Sequence, residues 1–178
     1  MLQVITIIAV VLAIAIAAVL IYATTKPDVF RVARSTTIKA PPQEIFPLIS
    51  DLQGFTTWSP YEHKDPAMKR EISSPSSGKG ATYAWDGDKN VGTGKMTITD
   101  TAAPSQVTIK LEFTRPFEAN NVVDFILVPQ GDSTQVTWVM QGPNAYIGKV
   151  MSVFINMDKM VGGDFEIGLA NLKRISEA

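Results

Sequence analysis

The stretch Val29-Phe30-Arg31-Val32-Ala33-Arg34-Ser35-Thr36-Thr37-Ile38-Lys39-Ala40-Pro41-Pro42-Gln43-Glu44-Ile45-Phe46 sets a strand, a break and a helix start side by side. Val29 to Ile38 is rich in β-branched residues and reads as a strand. Ala40-Pro41-Pro42 ends it, because proline lacks the N–H that a ladder requires. Pro42 suits the first turn of a helix, and Glu44 sits where the positive end of the helix dipole favours an acid. That helix, through Ile45, Phe46, Leu48 and Ile49, is brief. Asp51 then caps a second short helix, which ends near Trp58-Ser59-Pro60.

Downstream the pattern becomes one of strands. Met68–Ile72, Ala81–Trp85, Gly94–Thr99, Val107–Phe113, Asn121–Val128 and Gln135–Met140 are separated by turns rich in Gly, Pro, Ser and Asp. Val107, Ile109, Leu111 and Phe113 alternate with Thr108, Lys110, Glu112 and Thr114, so the strands form an antiparallel meander with one wet face. Gly92-Thr93-Gly94 sits among strands and points to curvature or a bulge, not to a phosphate loop. The chain closes on a helical stretch from Ala145 to Ser176. Ile147, Met151, Phe154, Val161, Phe165, Leu169 and Leu172 form one apolar stripe along it. Gly162-Gly163 in its middle permits a bend or a close backbone approach.

Upstream, Val4 to Ala23 carries no charge. Twenty residues at a rise of about 1.5 Å make a helix roughly 30 Å long, enough for the hydrocarbon core of a bilayer. Tyr22 falls at the level of the headgroups. A cleaved signal peptide is the rival reading, but Met1-Leu2-Gln3 is not basic and the apolar run is long. The expected organisation is a transmembrane anchor over 1–23, a linker over 24–28 and one domain over 29–178. The expected location is the cell membrane, with a single pass. Lys26, Arg31 and Arg34 favour a cytoplasmic domain under the positive-inside rule. Two of them belong to the first strand, so the membrane face stays open.

Composition narrows the chemistry. A net charge of −1 without like-charge blocks leaves no electrostatic footprint for nucleic acid. The absence of cysteine excludes disulfides, thiolate nucleophiles and cysteine-based metal sites. A single histidine, His63, restricts imidazole chemistry to one position. No cofactor or metal is expected, since Glu62, His63 and Asp65 in one loop are a weak ligand set.

The order of elements, with Ser35 to Phe46, Trp58-Ser59-Pro60-Tyr61, Gly78-Lys79-Gly80-Ala81, Trp138 and Asp158 to Phe165, resembles the START/Bet v 1-like (SRPBCC) superfamily, the polyketide cyclase/dehydrase and lipid-transport family. The resemblance runs from about Phe30 to the C-terminus. It implies an α+β helix-grip fold, a curved antiparallel sheet around the final helix with a cavity between them. The apolar faces of sheet and helix independently require each other as partners.

The expected cavity lining is Tyr83, Trp85, Phe113, Phe125, Trp138, Met151 and Phe154, with Trp58 and Tyr61 at the entrance. Met151, Met157 and Met160 would supply adaptable walls. Asp158 lies beside the apolar stripe, where a carboxylate either finds a partner or has its pKa raised. It is read either as a polar orienter of ligand or as bonded to a sheet residue. The expected function is membrane-anchored binding of a hydrophobic small molecule or lipid. A partner-binding module at the membrane ranks second. A cyclase- or hydratase-like enzyme ranks third, with Asp158 and His63 its only acid/base candidates.

Overall fold

Alternation of apolar and polar residues becomes a single seven-stranded antiparallel sheet. The computed structural model describes residues 1–178, apart from the side chain of Leu2. The elements run α1 (Leu2–Thr24), β1 (Val29–Ile38), α2 (Pro42–Ser50), α3 (Leu52–Thr56), α4 (Tyr61–Lys64), β2 (Lys69–Ile72) and β3 (Thr82–Asp86). β4 (Thr93–Ala102), β5 (Gln106–Arg115), β6 (Ala119–Gln130), β7 (Ser133–Pro143), α5 (Tyr146–Phe154) and α6 (Met157–Ser176) follow. The sheet order is β1-β7-β6-β5-β4-β3-β2, so the first strand closes one edge against the last.

Register determines what shares an end. Val29 pairs with Pro143, Phe113 with Ala119 and Asp86 with Thr93. The β3–β4 and β5–β6 loops therefore gather at the end of the sheet where α1 enters and α5 leaves. The inner face carries Val107, Ile109 and Leu111 from β5 and Val123, Phe125 and Leu127 from β6, all buried. Register shifts at Thr93/Gly94 and at Ile98/Asp100 mark bulges, which curve the sheet. Gly94 has a further reason to be glycine, because a Cβ there would lie 2.6 Å from the Trp85 ring.

Short helices plug the groove. Pro42 occupies the first turn of α2, and Asp51 Oδ1 accepts the Gln53 N–H (2.9 Å) to start α3. Glu62 and His63, expected with Asp65 in one loop, belong to the one-turn helix α4.

The final helical stretch is two helices, not one. Ile155 is extended, and Asn156 Oδ1 accepts the Lys159 N–H (2.9 Å), capping a new start. No break occurs at Gly162-Gly163. Gly162 instead provides the close approach. Its missing side chain makes room for the Arg34 guanidinium, whose Nε lies 2.8 Å from where a Cβ would stand. α6 thus packs chiefly on β1, at the edge of the sheet. Phe165, Leu169 and Leu172 are buried there, whereas Ile147, Met151 and Phe154 on α5 are exposed.

α1 holds a 22-residue segment, Gln3–Thr24, that is long and apolar enough to cross a membrane. Its end packs against α5.

Candidate functional site

A helix seated over β1 does not fill the space against the inner faces of β3 to β6. The result is a cavity of about 430 Å³, within the range of roughly 300–1,000 Å³ common for small-molecule sites. Its wall is dominated by apolar and aromatic side chains. Tyr83, Trp85, Phe113, Phe125 and Trp138 line it from the inward face of their strands, and Tyr61 lines it from α4. Trp138 stacks on Phe165 with ring centroids 4.1 Å apart, joining sheet to helix at the cavity's back.

Four expected residues lie elsewhere. Trp58 is fully buried behind the cavity, not at its entrance. Its Nε1–H donates to the Leu48 carbonyl (2.8 Å), and its ring meets Phe55, Phe125 and Trp138 edge-on. Met151 and Phe154 project outward from α5, because the break at Ile155-Asn156 removes them from the face that packs on the sheet. Asp158 accepts from Arg34 Nη1 (3.1 Å) and Nη2 (3.0 Å), and Glu166 accepts from Arg34 Nε (2.7 Å). Hydrogen bonding to Arg34 holds the Asp158 carboxyl below its usual value, and the Arg34 guanidinium is raised in return. The partner is therefore a sheet residue, and the carboxylate is a clamp on β1.

Polar contacts concentrate around α4. Glu62 accepts from the Tyr83 hydroxyl (2.6 Å) with one oxygen and from Arg70 Nε (2.6 Å) with the other. Lys64 Nζ donates to Asp164 on α6 (2.6 Å). Burial pushes the Tyr61 phenol up, with the nearby Asp164 charge adding to it. Burial first, and the bond to Glu62 second, raise Tyr83. These contacts hold α4 across the groove as a wall. His63 stands on this helix but is not among the cavity-lining residues.

Sequence reasoning missed Asn121. It opens the inward row Asn121-Val123-Phe125-Leu127 and lies at the cavity wall, buried, its Oδ1 without a partner among the described residues. Ser59 Oγ and Trp138 Nε1 share that condition. A polar residue in phase with an apolar row is the signal that could have found Asn121. Met157 and Met160 do line the cavity, with Phe30 and Phe117.

A larger, open depression of about 910 Å³ crosses the outer face of β2 to β5. Its charges alternate in sign and pair locally, as Arg115 does with Asp86. It is a solvated sheet face, and the enclosed apolar cavity is the better candidate site. Among the described residues no three His, Asp or Glu side chains converge as a metal site.

No curated protein sequence matches the chain. Among solved structures, protein CV1439 from Chromobacterium violaceum superposes with a TM-score of 0.60 at 12% identity, covering 86% of this chain and 99% of that one. The KanY protein superposes at 0.61 with 20% identity, covering 84% and 98%. The Aha1 dimer from Colwellia psychrerythraea gives 0.57 at 17%, covering 83% and 96%. Such identities establish a shared helix-grip architecture and no shared activity. The sequence profile of one family matches residues 29–177, the whole of the domain after α1. The chain belongs to the polyketide cyclase/dehydrase and lipid transport family.

Proposed function

We propose that this protein is a membrane-anchored binding protein that holds a hydrophobic small molecule or lipid between β3–β6 and α6. The cavity carries this reading: about 430 Å³ of space with an apolar wall, open on one side and stiffened by polar contacts on the other. Burial of an apolar chain there would contribute roughly 25 cal/mol per Å² removed from water. α1 supports the anchor, because its segment Gln3–Thr24 is long and apolar enough to cross a membrane. Binding needs no acid/base pair, and Asp158 is occupied by Arg34.

Native mass spectrometry of the full chain released from detergent micelles tests the proposal. The expected result is a one-to-one lipid or isoprenoid adduct that survives micelle removal. Leu111→Trp, which fills the cavity from its wall, should abolish that adduct without lowering Tm substantially. An adduct retained in Leu111→Trp would be lipid bound to α1. That outcome, or no adduct at all, would sink the cavity reading.

A further inference from the structure

α5 carries apolar residues outward as well as inward, where Val150 and Val153 are half-buried. In a helix packed on a domain, apolar residues turn inward and polar ones outward. Here Ile147, Met151 and Phe154 are exposed, Phe154 by 72%, at spacings that make one outward stripe, and the extended Ile155 after it is exposed too. The only charge in α5, Lys149, pairs with the exposed Asp28 of the linker, and its own side chain is 12% exposed. Aqueous surroundings give no reason for this outward stripe. An apolar medium on the outer side does.

The same stripe runs into the cavity rim. Met157 and Met160 follow it on α6 and line the opening, and both are exposed. Across the opening, Phe117 of the β5–β6 loop is 63% exposed and also lines the cavity. A continuous apolar surface therefore leads from α5 around the mouth. It lies at the end of the sheet where α1 joins β1.

The position of α1 identifies what covers this surface. The Tyr146 hydroxyl donates to the Leu20 carbonyl (3.0 Å), four residues before the end of α1. At about 1.5 Å per residue, that carbonyl is roughly 6 Å inside the helix end. Ala23 is fully buried. The Asn144 amide donates to the Pro27 carbonyl (3.0 Å), which fixes the linker too. α5 is thereby held at the level of the last turn of α1, where Tyr22 and Lys26 mark a membrane–water boundary. Exposed apolar patches of this kind mark interaction sites, and a short helix with an apolar outer face suits the interfacial layer.

We propose that α5 lies in the headgroup layer of the bilayer crossed by α1, with Phe117 and Met160 dipping beside it, so that the cavity mouth opens against lipid. This rests on the membrane-anchored reading above and adds the direction of loading. Ligand enters from and returns to the bilayer without crossing water.

The absence of cysteine makes the test direct. Full-length single-cysteine variants Ile147→Cys, Phe154→Cys and Phe117→Cys carry an environment-sensitive fluorophore in phosphatidylcholine vesicles. Asp132→Cys, in the β6–β7 turn at the far end of the sheet, is the aqueous control. Ile14→Cys reports on α1. Expected are a blue shift and several-fold stronger quenching by nitroxide-labelled lipid at 147, 154 and 117 than at 132. Quenching at 14 with the three rim probes open to aqueous iodide would overturn the proposal while leaving the anchor intact. Rim probes shielded only at high protein density would overturn it in favour of a second copy. Failure at 14 would remove the anchor, and this inference with it, but would not touch the ligand adduct of the cavity.

Discussion

Gly162 and Gly163 are adjacent in the same helix, yet alanine should stabilise the protein at Gly163 and not at Gly162. Alanine is better than glycine in a helix interior by roughly 1 kcal/mol. Nothing stands within 4 Å of a Cβ at Gly163, so Gly163→Ala should keep that gain. At about 2–4 °C per kcal/mol for a protein of this size, Tm should rise by a few degrees. At Gly162 the new methyl meets the Arg34 guanidinium, 2.8 Å from Nε and closer to Cζ. The guanidinium has little freedom to retreat, because Asp158, Glu166 and the Ala33 carbonyl hold it. Overpacking of this kind costs about 1–3 kcal/mol, which cancels or exceeds the helix gain. The two variants should therefore differ by about 2–12 °C in Tm, with Gly162→Ala the lower. Circular dichroism melts of the full chain in one detergent measure the gap. In an Arg34→Ala background the gap should vanish, since coupling requires the partner. Equal stabilisation by both alanines in the parent protein would show that Arg34 does not lie on Gly162, and the account of where α6 sits would fail.

Loss of the cap that separates α5 from α6 should be modest, with Asn156→Ala costing about 1 kcal/mol and Asn156→Asp close to nothing, read from the same melts. Asn121→Leu removes a buried, unpartnered amide oxygen of a kind that costs roughly 1–3 kcal/mol, so it should raise Tm while weakening retention of the lipid adduct. Unchanged Tm and unchanged adduct together would mean that Asn121 faces water. Alkaline pH should act through Tyr61 and Tyr83, whose folded values lie above the ordinary 10.0. Folding retains their protons, so their contribution is complete below pH 10 and is lost as pH rises through the folded values. Phenolate absorbance should therefore show these two tyrosines ionising only with unfolding. Replacing both by phenylalanine should leave the earlier part of the titration unaltered.

The sheet was legible because alternation reports a face directly. Once Val107, Ile109 and Leu111 are inward, the phase of each neighbouring strand follows from its own apolar row. That phase also placed Tyr83, Trp85, Phe113, Phe125 and Trp138 in the cavity wall. Helix periodicity is a weaker guide, since it reports spacing and not whether the chain is continuous. Ile147 to Leu172 keeps one period across a real break, and only Asn156 followed by Asp158 signals a new start. Gly162-Gly163 suggested a weak point, but its use is long-range and depends on Arg34, more than a hundred residues earlier. Trp58 was misplaced for a similar reason. It stands at the end of a short helix, while its ring and N–H are satisfied by elements far apart in sequence.

The clamp between Arg34 and α6 also bears on why space persists inside. A helix free to settle would slide toward the centre of the sheet and fill the cavity. Arg34 holds α6 at the β1 edge, Lys64–Asp164 ties α4 to it, and Glu62 ties α4 to β3. The groove is thus propped by polar contacts at its margins, while its floor stays apolar. At about 24 cal/mol per Å³, a dry void of the size seen here would cost roughly 10 kcal/mol. Whole domains are stable by only about 5–15 kcal/mol, so a void of that size would consume most of the stability available. Water admitted through the mouth lowers the cost but leaves the aromatic walls wetted. An apolar occupant removes both penalties at once. The fold therefore gains more from a hydrophobic ligand than from either collapse or hydration, and bound ligand should raise Tm in proportion to the apolar area it covers.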